Sequence, residues 1–95
     1  MTRRKIREEI FKLLFEKELI DNNIDRRIEE VIEENGIKKR EHIEFLESYV
    51  KNIIKNEEFL VKRIKETLEG WTYERLGTLE RVLLKIAFYE ILLEK

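Results

Sequence analysis

The positions of the apolar residues predict a chain built from helices. Apolar side chains recur three or four positions apart along most of the sequence, which is the spacing of one helix face. No stretch alternates with the two-residue period of a strand. The first four predicted helices run from about Thr2 to Leu19, from Asp25 to Asn35, from Lys39 to Lys55 and from Asn56 to Gly70. The sequence therefore predicts an all-α fold, a compact helical bundle of about five to six helices.

Short polar residues and glycines are predicted to mark the helix ends. A side-chain oxygen at the N-cap accepts a hydrogen bond from a free backbone N–H of the first turn. The residues predicted to do this along the later part of the chain are Asp25, Asn56, Thr72 and Thr78. Asn35 and Gly36 are predicted to end the second helix, because both tolerate the left-handed backbone that terminates many helices.

The last segment, from Thr78 to Lys95, has apolar residues around much of its helix instead of along one stripe. These residues are Leu79, Val82, Leu83, Ile86, Ala87, Tyr89, Leu92 and Leu93. A helix with this pattern is expected to be buried. We expect its cover to come from earlier helices of the chain, from a second copy or from another molecule.

The composition sets bounds on domain organisation and location. The 95 residues fit one small domain, residues 1–95, and a hydrophobic fraction of 42% is enough for a core. Charged residues make up 43% of the chain, but the formal net charge is only −1, so nucleic-acid binding would depend on a local patch. No apolar run approaches the roughly 20 residues of a membrane span, and no signal peptide is recognisable. We therefore expect a cytoplasmic protein without a membrane-spanning segment.

Residues suited to catalysis or metal binding are scarce. The sequence has one histidine, His42, no cysteine, and no glycine-rich phosphate-binding loop. A lone histidine does not complete a common zinc site, and a position at a helix end explains His42 better than a catalytic role. The many glutamates recur at helical spacing and fit solvated helix faces better than a catalytic pair. We therefore predict a protein that is not an enzyme and holds no metal or cofactor.

The start of the first helix carries a local positive patch. Four cations lie within one helical turn and its entry, namely Arg3, Arg4, Lys5 and Arg7. Arginine forks bind phosphates in a bidentate manner, so this patch suits RNA. A solubilising helix start is the other interpretation and, on this feature alone, the more frequent one. A second cluster, residues 38–40, is followed by acids and is expected to be solvated surface.

The aromatic residues leave a further alternative open. Trp71 and Tyr73 would provide a surface on which unpaired bases stack, but their place at a helix junction favours packing. Phe11 and Phe15 raise the same question on the first helix, where one of them is a candidate for a partner contact.

Two segments resemble the NusB family of bacterial transcription antitermination factors. The first is residues 3–15, where Arg-Arg-Lys-Ile-Arg-Glu leads into Leu13, Leu14 and Phe15, as in the family's arginine-rich opening. The second is residues 71–92, which is similar to the family's Trp-Ser-Leu-Glu-Arg-Leu and Glu-Arg-x-x-Leu-Arg-x-Ala-x-Tyr-Glu-Leu pattern. The resemblance implies a helical RNA-binding factor that pairs with NusE, a small-subunit ribosomal protein. Together they would bind single-stranded boxA-type RNA in the transcription elongation complex during ribosomal RNA transcription.

The resemblance also implies roles for particular residues. Those that would bind RNA are Arg3, Arg4, Lys5 and Arg7. Those that would lie on or near the NusE-facing surface are Phe15, Glu74 and Glu80. The sequence departs from the family at Asn52, where glycine is usual, and at Phe15, where tyrosine is usual.

A further departure is length, because the family normally continues for about forty residues beyond the last helix of this chain. Three explanations stay open. The chain would be a fragment of a longer factor, or a reduced factor that covers its last helix by forming a homodimer. The third is a non-catalytic helical module for protein contacts, like the NusB-like domain of RNA methyltransferases.

Overall fold

The structure, a computed structural model, describes residues 2–94 and contains five α-helices and one 3-10 turn. The helices are α1 (Arg3–Leu19), α2 (Ile24–Glu34), α3 (Arg40–Lys55), α4 (Glu57–Thr67) and α5 (Thr78–Leu92). The 3-10 turn, Tyr73–Arg75, lies between α4 and α5. The described part of the chain contains no strand, so the all-α prediction is confirmed. None of the helices in residues 2–94 is both long and apolar enough to cross a membrane.

Side-chain caps begin α1 and α2. Oγ1 of Thr2 accepts from the backbone N–H of Lys5 at 3.2 Å. The cap of α2 is Asn23, whose Oδ1 accepts from the N–H of Arg26 at 3.2 Å, so the prediction of Asp25 was wrong by two positions. The earlier start places the negative charge of Asp25 in the first turn, where it faces the positive end of the helix dipole.

The later caps also differ from the prediction. Asn56 precedes α4, but its Nδ2 donates backwards to the carbonyl of Asn52 at 2.7 Å. One residue separates α3 from α4, so the amide satisfies a carbonyl at the end of α3 instead of an N–H of α4. Gly77 occupies the cap position of α5, and Thr78 is the first helical residue. Thr72 precedes the 3-10 turn without a side-chain hydrogen bond to it.

Gly36 ends α2 as predicted, because its φ of 59° lies in the left-handed region that favours glycine. The turn is closed by the backbone N–H of Ile37, which donates to the carbonyl of Ile32 at 3.0 Å. Ile37 itself is buried and ties the turn to the core.

The described chain divides into two compact units, one that extends to Lys51 and one that begins at Asn52. The division falls inside α3. In the first unit, α1, α2 and the first part of α3 bury their apolar faces. The most deeply buried side chains there are Ile6, Ile10, Leu13, Ile28, Leu46 and Val50. A single domain over residues 1–95 stays a prediction.

The second unit is built by α4 packing against α5. Leu60, Ile64 and Val82 are buried, and Nζ of the nearly buried Lys85 lies 3.6 Å from Oε2 of Glu57. Asn52, one of the positions that depart from the family pattern, donates from Nδ2 to Oη of the buried Tyr89 at 3.4 Å. The end of α3 is thereby linked to α5.

Within the described chain, α5 is buried on one side only, so cover from a second copy or another molecule stays a prediction for the rest of the helix. Its apolar side chains differ in burial from one side of the helix to the other. The large apolar residues exposed on or at the end of α5 are Leu79, Leu83, Ile91 and Leu93. Val82 and Tyr89 are buried on one side of α5, while Leu83 and Ile91 on the other side are exposed within the described chain. The pattern around the helix therefore contains one buried face and one open face.

Candidate functional site

The first turn of α1 presents the four predicted RNA-binding residues to solvent. All four side chains are exposed, and they are Arg3, Arg4, Lys5 and Arg7. The Thr2 cap fixes where the helix starts, so their angular positions around α1 are set by the helix. Ile6 lies among them in sequence but points into the core of the first unit. The burial of Ile6 is what turns the cations outwards.

Two aromatic rings of α3 lie under two of these cations. Cζ of Arg3 lies 4.3 Å from the centroid of the Phe45 ring, and Cζ of Arg7 lies 6.0 Å from the centroid of the Tyr49 ring. Both distances are within the range of cation–π attraction. The two rings meet edge to face, with centroids 5.7 Å apart and planes at 68°. The two arginines are four residues apart on α1, and the two aromatics are four residues apart on α3. The two cation–π contacts therefore lie about one helical turn apart.

The surrounding charges distinguish the four cations. Nζ of Lys5 lies 3.3 Å from Oε2 of Glu8, so part of its charge is already neutralised. Within residues 2–94, neither Arg3 nor Arg4 forms an ion pair. The guanidinium groups of Arg3 and Arg4 are thus the two strongest candidates for contact with an external anion.

Sequence reasoning found these cations but missed Phe45 and Tyr49. The signal in the sequence was that both aromatics and both arginines are four residues apart, the spacing of one helix face. The sequence does not show which faces meet.

Phe15, predicted to face a partner, is half-buried on α1. Its ring centroid lies 6.0 Å from that of Phe11, with the planes tilted by 34°. Leu19 follows at the same four-residue spacing and is 59% exposed. Phe11, Phe15 and Leu19 therefore form an apolar stripe that becomes more exposed towards the end of α1.

Glu74, the second predicted partner residue, lies in the 3-10 turn of the second unit. Its Oε1 is 3.1 Å from Nζ of Lys65, and its carbonyl accepts from Nη2 of Arg81 at 2.8 Å. A hydrogen bond from its own backbone N–H, then the hydrogen bond with Lys65, lower the pKa of the Glu74 carboxyl. Glu74 is therefore charged and held in place while it remains exposed.

Glu80, the third, folds back over the start of α5. A Cβ added at Gly77 would lie 2.5 Å from Oε2 of Glu80, so the carboxylate occupies the space that a side chain would fill. This is the position from which an acidic residue of the first turn favours the helix N-terminus. Glu80 also lies at the edge of an open groove of about 520 Å³. Apolar residues make up most of its lining, namely Leu68, Trp71, Leu76, Leu83 and Leu84.

The two aromatics at the helix junction behave differently. The Tyr73 ring contacts two cations, with its centroid 5.7 Å from Nζ of Lys65 and 5.2 Å from Cζ of Arg81. Tyr73 is therefore a packed residue, as expected. Trp71 is 67% exposed, so the expectation that it packs was wrong. Its ring borders the groove beside Glu80 instead of filling it.

The remaining sequence candidates lie away from these features. His42 is in the first turn of α3, where Nε2 is 4.0 Å from Oε1 of Glu41. Residues 38–40 are exposed. Nη1 of Arg40 lies 3.5 Å from Oε1 of Glu44, one helical turn along α3. Among residues 2–94, no three histidine, aspartate or glutamate side chains are grouped so that they could hold a metal ion.

Comparison with known proteins points to the same family as the two sequence segments. The NusB family model matches residues 4–95. Transcription antitermination protein NusB of Clostridium acetobutylicum is 35% identical over 95 residues, covering 100% of this chain and 70% of that protein. The proteins of the same name from Pseudothermotoga lettingae and Oceanobacillus iheyensis are 34% and 36% identical, covering 99% and 97% of this chain. The chain spans 66% and 69% of those two relatives. No solved structure matches the chain significantly.

Proposed function

The chain belongs to the NusB family, and from that premise we propose that it acts in transcription antitermination as an RNA-binding factor. Its RNA would be single-stranded and of boxA type, and it would bind together with NusE in the transcription elongation complex in the cytoplasm. The names of the relatives support antitermination, and the exposed basic start of α1 supports RNA binding. In this role the chain is a scaffold without catalytic activity.

The single observation that carries the RNA proposal is the outward presentation of four cations on one helix start. Phosphates supply most of the sequence-independent affinity for nucleic acid, and arginine forks match their geometry. Arg3 and Arg4 have no carboxylate partner within residues 2–94 that would compete with a phosphate. The nearly neutral net charge of the chain does not oppose this, because attraction at contact distance depends on the local patch.

The proposed NusE surface combines acidic and apolar groups. Glu74 and Glu80 supply negative charge, and the groove beside Glu80 supplies apolar area around Trp71. A basic segment with an apolar anchor would complement it. Phe15 is the proposed contact on the first unit, where its half-exposed ring offers a further apolar surface.

Titration of the chain into fluorescently labelled boxA-type RNA, with and without purified NusE, tests the proposal. A scrambled RNA of equal length and composition is the control. We expect NusE to strengthen binding to boxA-type RNA more than to the scrambled RNA. If a folded, helical chain binds neither RNA in the presence of NusE, the proposed function is wrong.

A charge reversal tests the partner surface separately. Glu80→Lys is expected to reduce the strengthening by NusE while leaving binding of the chain alone to RNA unchanged, because Glu80 is not on the basic helix. Glu58→Lys is the matched control, since Glu58 is also exposed on a helix of the second unit but lies outside the groove. If Glu80→Lys and Glu58→Lys change the strengthening of RNA binding by NusE equally, Glu80 is not part of the proposed surface.

A second candidate function is a protein-interaction module that does not bind RNA. The observation in its favour is the open apolar face of α5, where Leu79, Leu83 and Ile91 are exposed. Replacement of Arg3, Arg4 and Arg7 by alanine separates the two functions. The module predicts that NusE binding survives this triple replacement and that wild-type chain shows no RNA affinity. The antitermination proposal predicts loss of RNA binding in the triple variant.

A further inference from the structure

The contact between Arg3 and Phe45 holds an exposed cation in one place. Arg3 is on the surface, where an arginine normally samples many side-chain conformations. Ordering such a side chain on binding weakens affinity by about twofold to tenfold. A guanidinium carbon 4.3 Å from the ring centroid has lost part of that freedom before any ligand arrives.

We propose that Phe45 is a positioning residue of the RNA site, which orders the guanidinium of Arg3 for bidentate contact with an RNA phosphate. The proposal rests on the proposed function and adds a residue of α3 to a site that sequence reasoning confined to α1. Phe45 touches no phosphate itself. It acts through Arg3.

The geometry leaves the donors of Arg3 available. The Phe45 ring carries no carboxylate or carbonyl oxygen that would occupy the N–H groups with which a guanidinium binds a phosphate. Within residues 2–94, Arg3 forms no ion pair that would occupy those donors. Lys5 is the contrasting case, because its ammonium lies 3.3 Å from Glu8.

The ring itself is braced. Phe45 meets Tyr49 edge to face at 5.7 Å, and Tyr49 is only 3% exposed. Contact with the buried Tyr49 fixes the orientation of the Phe45 ring. The ring in turn restricts the position of the Arg3 guanidinium above it. The longer distance of 6.0 Å between Cζ of Arg7 and the Tyr49 centroid makes this cation–π contact weaker than that of Arg3 with Phe45.

The test compares RNA affinity in Phe45→Leu, Phe45→Tyr and the control Phe11→Leu. Phe45→Leu keeps an apolar side chain but removes the ring, and Phe45→Tyr keeps the ring. Phe11→Leu removes a half-buried ring from the same unit that is not one of the rings under the basic turn. We expect about threefold weaker binding in Phe45→Leu and wild-type binding in the other two. Thermal unfolding followed by circular dichroism identifies variants that are not folded.

Two further measurements distinguish a positioning role of Phe45 from general damage to the fold. They are the salt dependence of RNA binding and the effect of Phe45→Leu in a variant of Arg3. Phe45→Leu should keep the slope of log K against log salt, because the number of neutralised phosphates is unchanged. In the Arg3→Ala background, which lacks the guanidinium that the ring would order, Phe45→Leu should have no further effect. An equal loss in both backgrounds, or wild-type affinity in Phe45→Leu, overturns the proposal while the proposed function stands.

A measurement without RNA distinguishes failure of the positioning role of Phe45 from failure of the proposed function. Nitrogen relaxation of the Arg3 Nε–H reports the order of this side chain on the picosecond to nanosecond timescale. We expect its order parameter to fall in Phe45→Leu and to stay at the wild-type value in Phe45→Tyr. An unchanged value in Phe45→Leu contradicts the positioning role. A chain that binds no RNA but shows the expected relaxation contradicts the proposed function, and with it the phosphate contact of Arg3.

Discussion

The guanidinium of Arg27 donates to both carboxylate oxygens of Glu16, with Nε 2.8 Å from Oε2 and Nη2 3.2 Å from Oε1. This bidentate pair joins α2 to α1. Nη1 of Arg27 also donates to Oε1 of Glu30 at 2.6 Å, one turn along α2. The hydrogen bond with Glu16, then that with Glu30, raises the pKa of the Arg27 guanidinium, so it remains charged at all ordinary pH. The pair therefore fixes how α2 lies on the helix that carries the basic turn.

Removal of this pair should destabilise the first unit. Arg27→Ala and Glu16→Ala are each expected to lower the free energy of unfolding, with a coupling of about 1 kcal/mol in a double-mutant cycle. The value is modest because both side chains are partly exposed and therefore screened by solvent. Urea denaturation measures it. Arg26→Ala is the control, since Arg26 is exposed and its Nε lies 3.7 Å from Oε2 of Glu30, a longer contact within α2. A coupling near zero would mean that the Arg27–Glu16 pair does not stabilise the packing of α2 on α1.

The Thr2 cap should control the order of the basic turn. Thr2→Ala removes the acceptor for the Lys5 N–H and is expected to cost about 1 kcal/mol of local helix stability. Amide hydrogen exchange at Lys5 should become faster, and RNA affinity should fall about twofold because the cations are less ordered. Thr2→Ser retains an acceptor and should behave as wild type. Unchanged exchange at Lys5 in Thr2→Ala would show that the cap does not hold this turn.

Acid should weaken the contacts of Glu74. Because the folded state lowers the pKa of Glu74, its stabilising contribution is present above the ordinary value of 4.5 and is lost as the pH falls towards the folded pKa. Lys65→Met should raise the pKa of Glu74 without fully restoring the ordinary value, since the hydrogen bond from its own N–H remains. A carbon-detected NMR titration of the Glu74 carboxyl measures both. Lys62→Met is the matched control on α4, and a Glu74 pKa that does not differ between the two variants would contradict the assigned cause.

The open face of α5 predicts self-association. Leu83 is 50% exposed and lies between Leu79 and Ile91 on this face. We expect the chain to form a homodimer at high concentration in sedimentation velocity, because association buries this apolar area. Leu83→Glu should yield monomer. Leu19→Glu, a change of the same kind on the first unit, should leave the dimer intact. A wild-type chain that sediments only as a monomer would leave α5 without a partner from a second copy.

Much of the fold follows from local pattern, while its helix caps do not. The bounds of α1 and α3 agree with the predicted ones to within one residue, because each helix carries an apolar stripe over four turns. The start of α2 was placed two residues late, since Asn23 and Asp25 are equally good caps by residue type.

The candidate site was partly predictable for a similar reason. Charge is visible in sequence, so Arg3, Arg4, Lys5 and Arg7 could be singled out, and the family resemblance, now confirmed, pointed to the same turn. The support from Phe45 and Tyr49 depends on which faces of α1 and α3 meet, a long-range property. The exposure of Trp71 likewise depends on the path of the chain between α4 and the 3-10 turn, which residue type alone does not predict.

The salt dependence of RNA binding tests the proposed grip of the basic turn most directly. If the four cations each neutralise one phosphate of single-stranded RNA, log K should fall against log salt with a slope of about −3. Arg4→Ala should reduce the magnitude of that slope by about 0.7, because one phosphate contact is lost and Arg4 makes no ion pair within residues 2–94 that would be lost with it. A flat salt dependence, or a slope that Arg4→Ala leaves unchanged, would contradict the proposal.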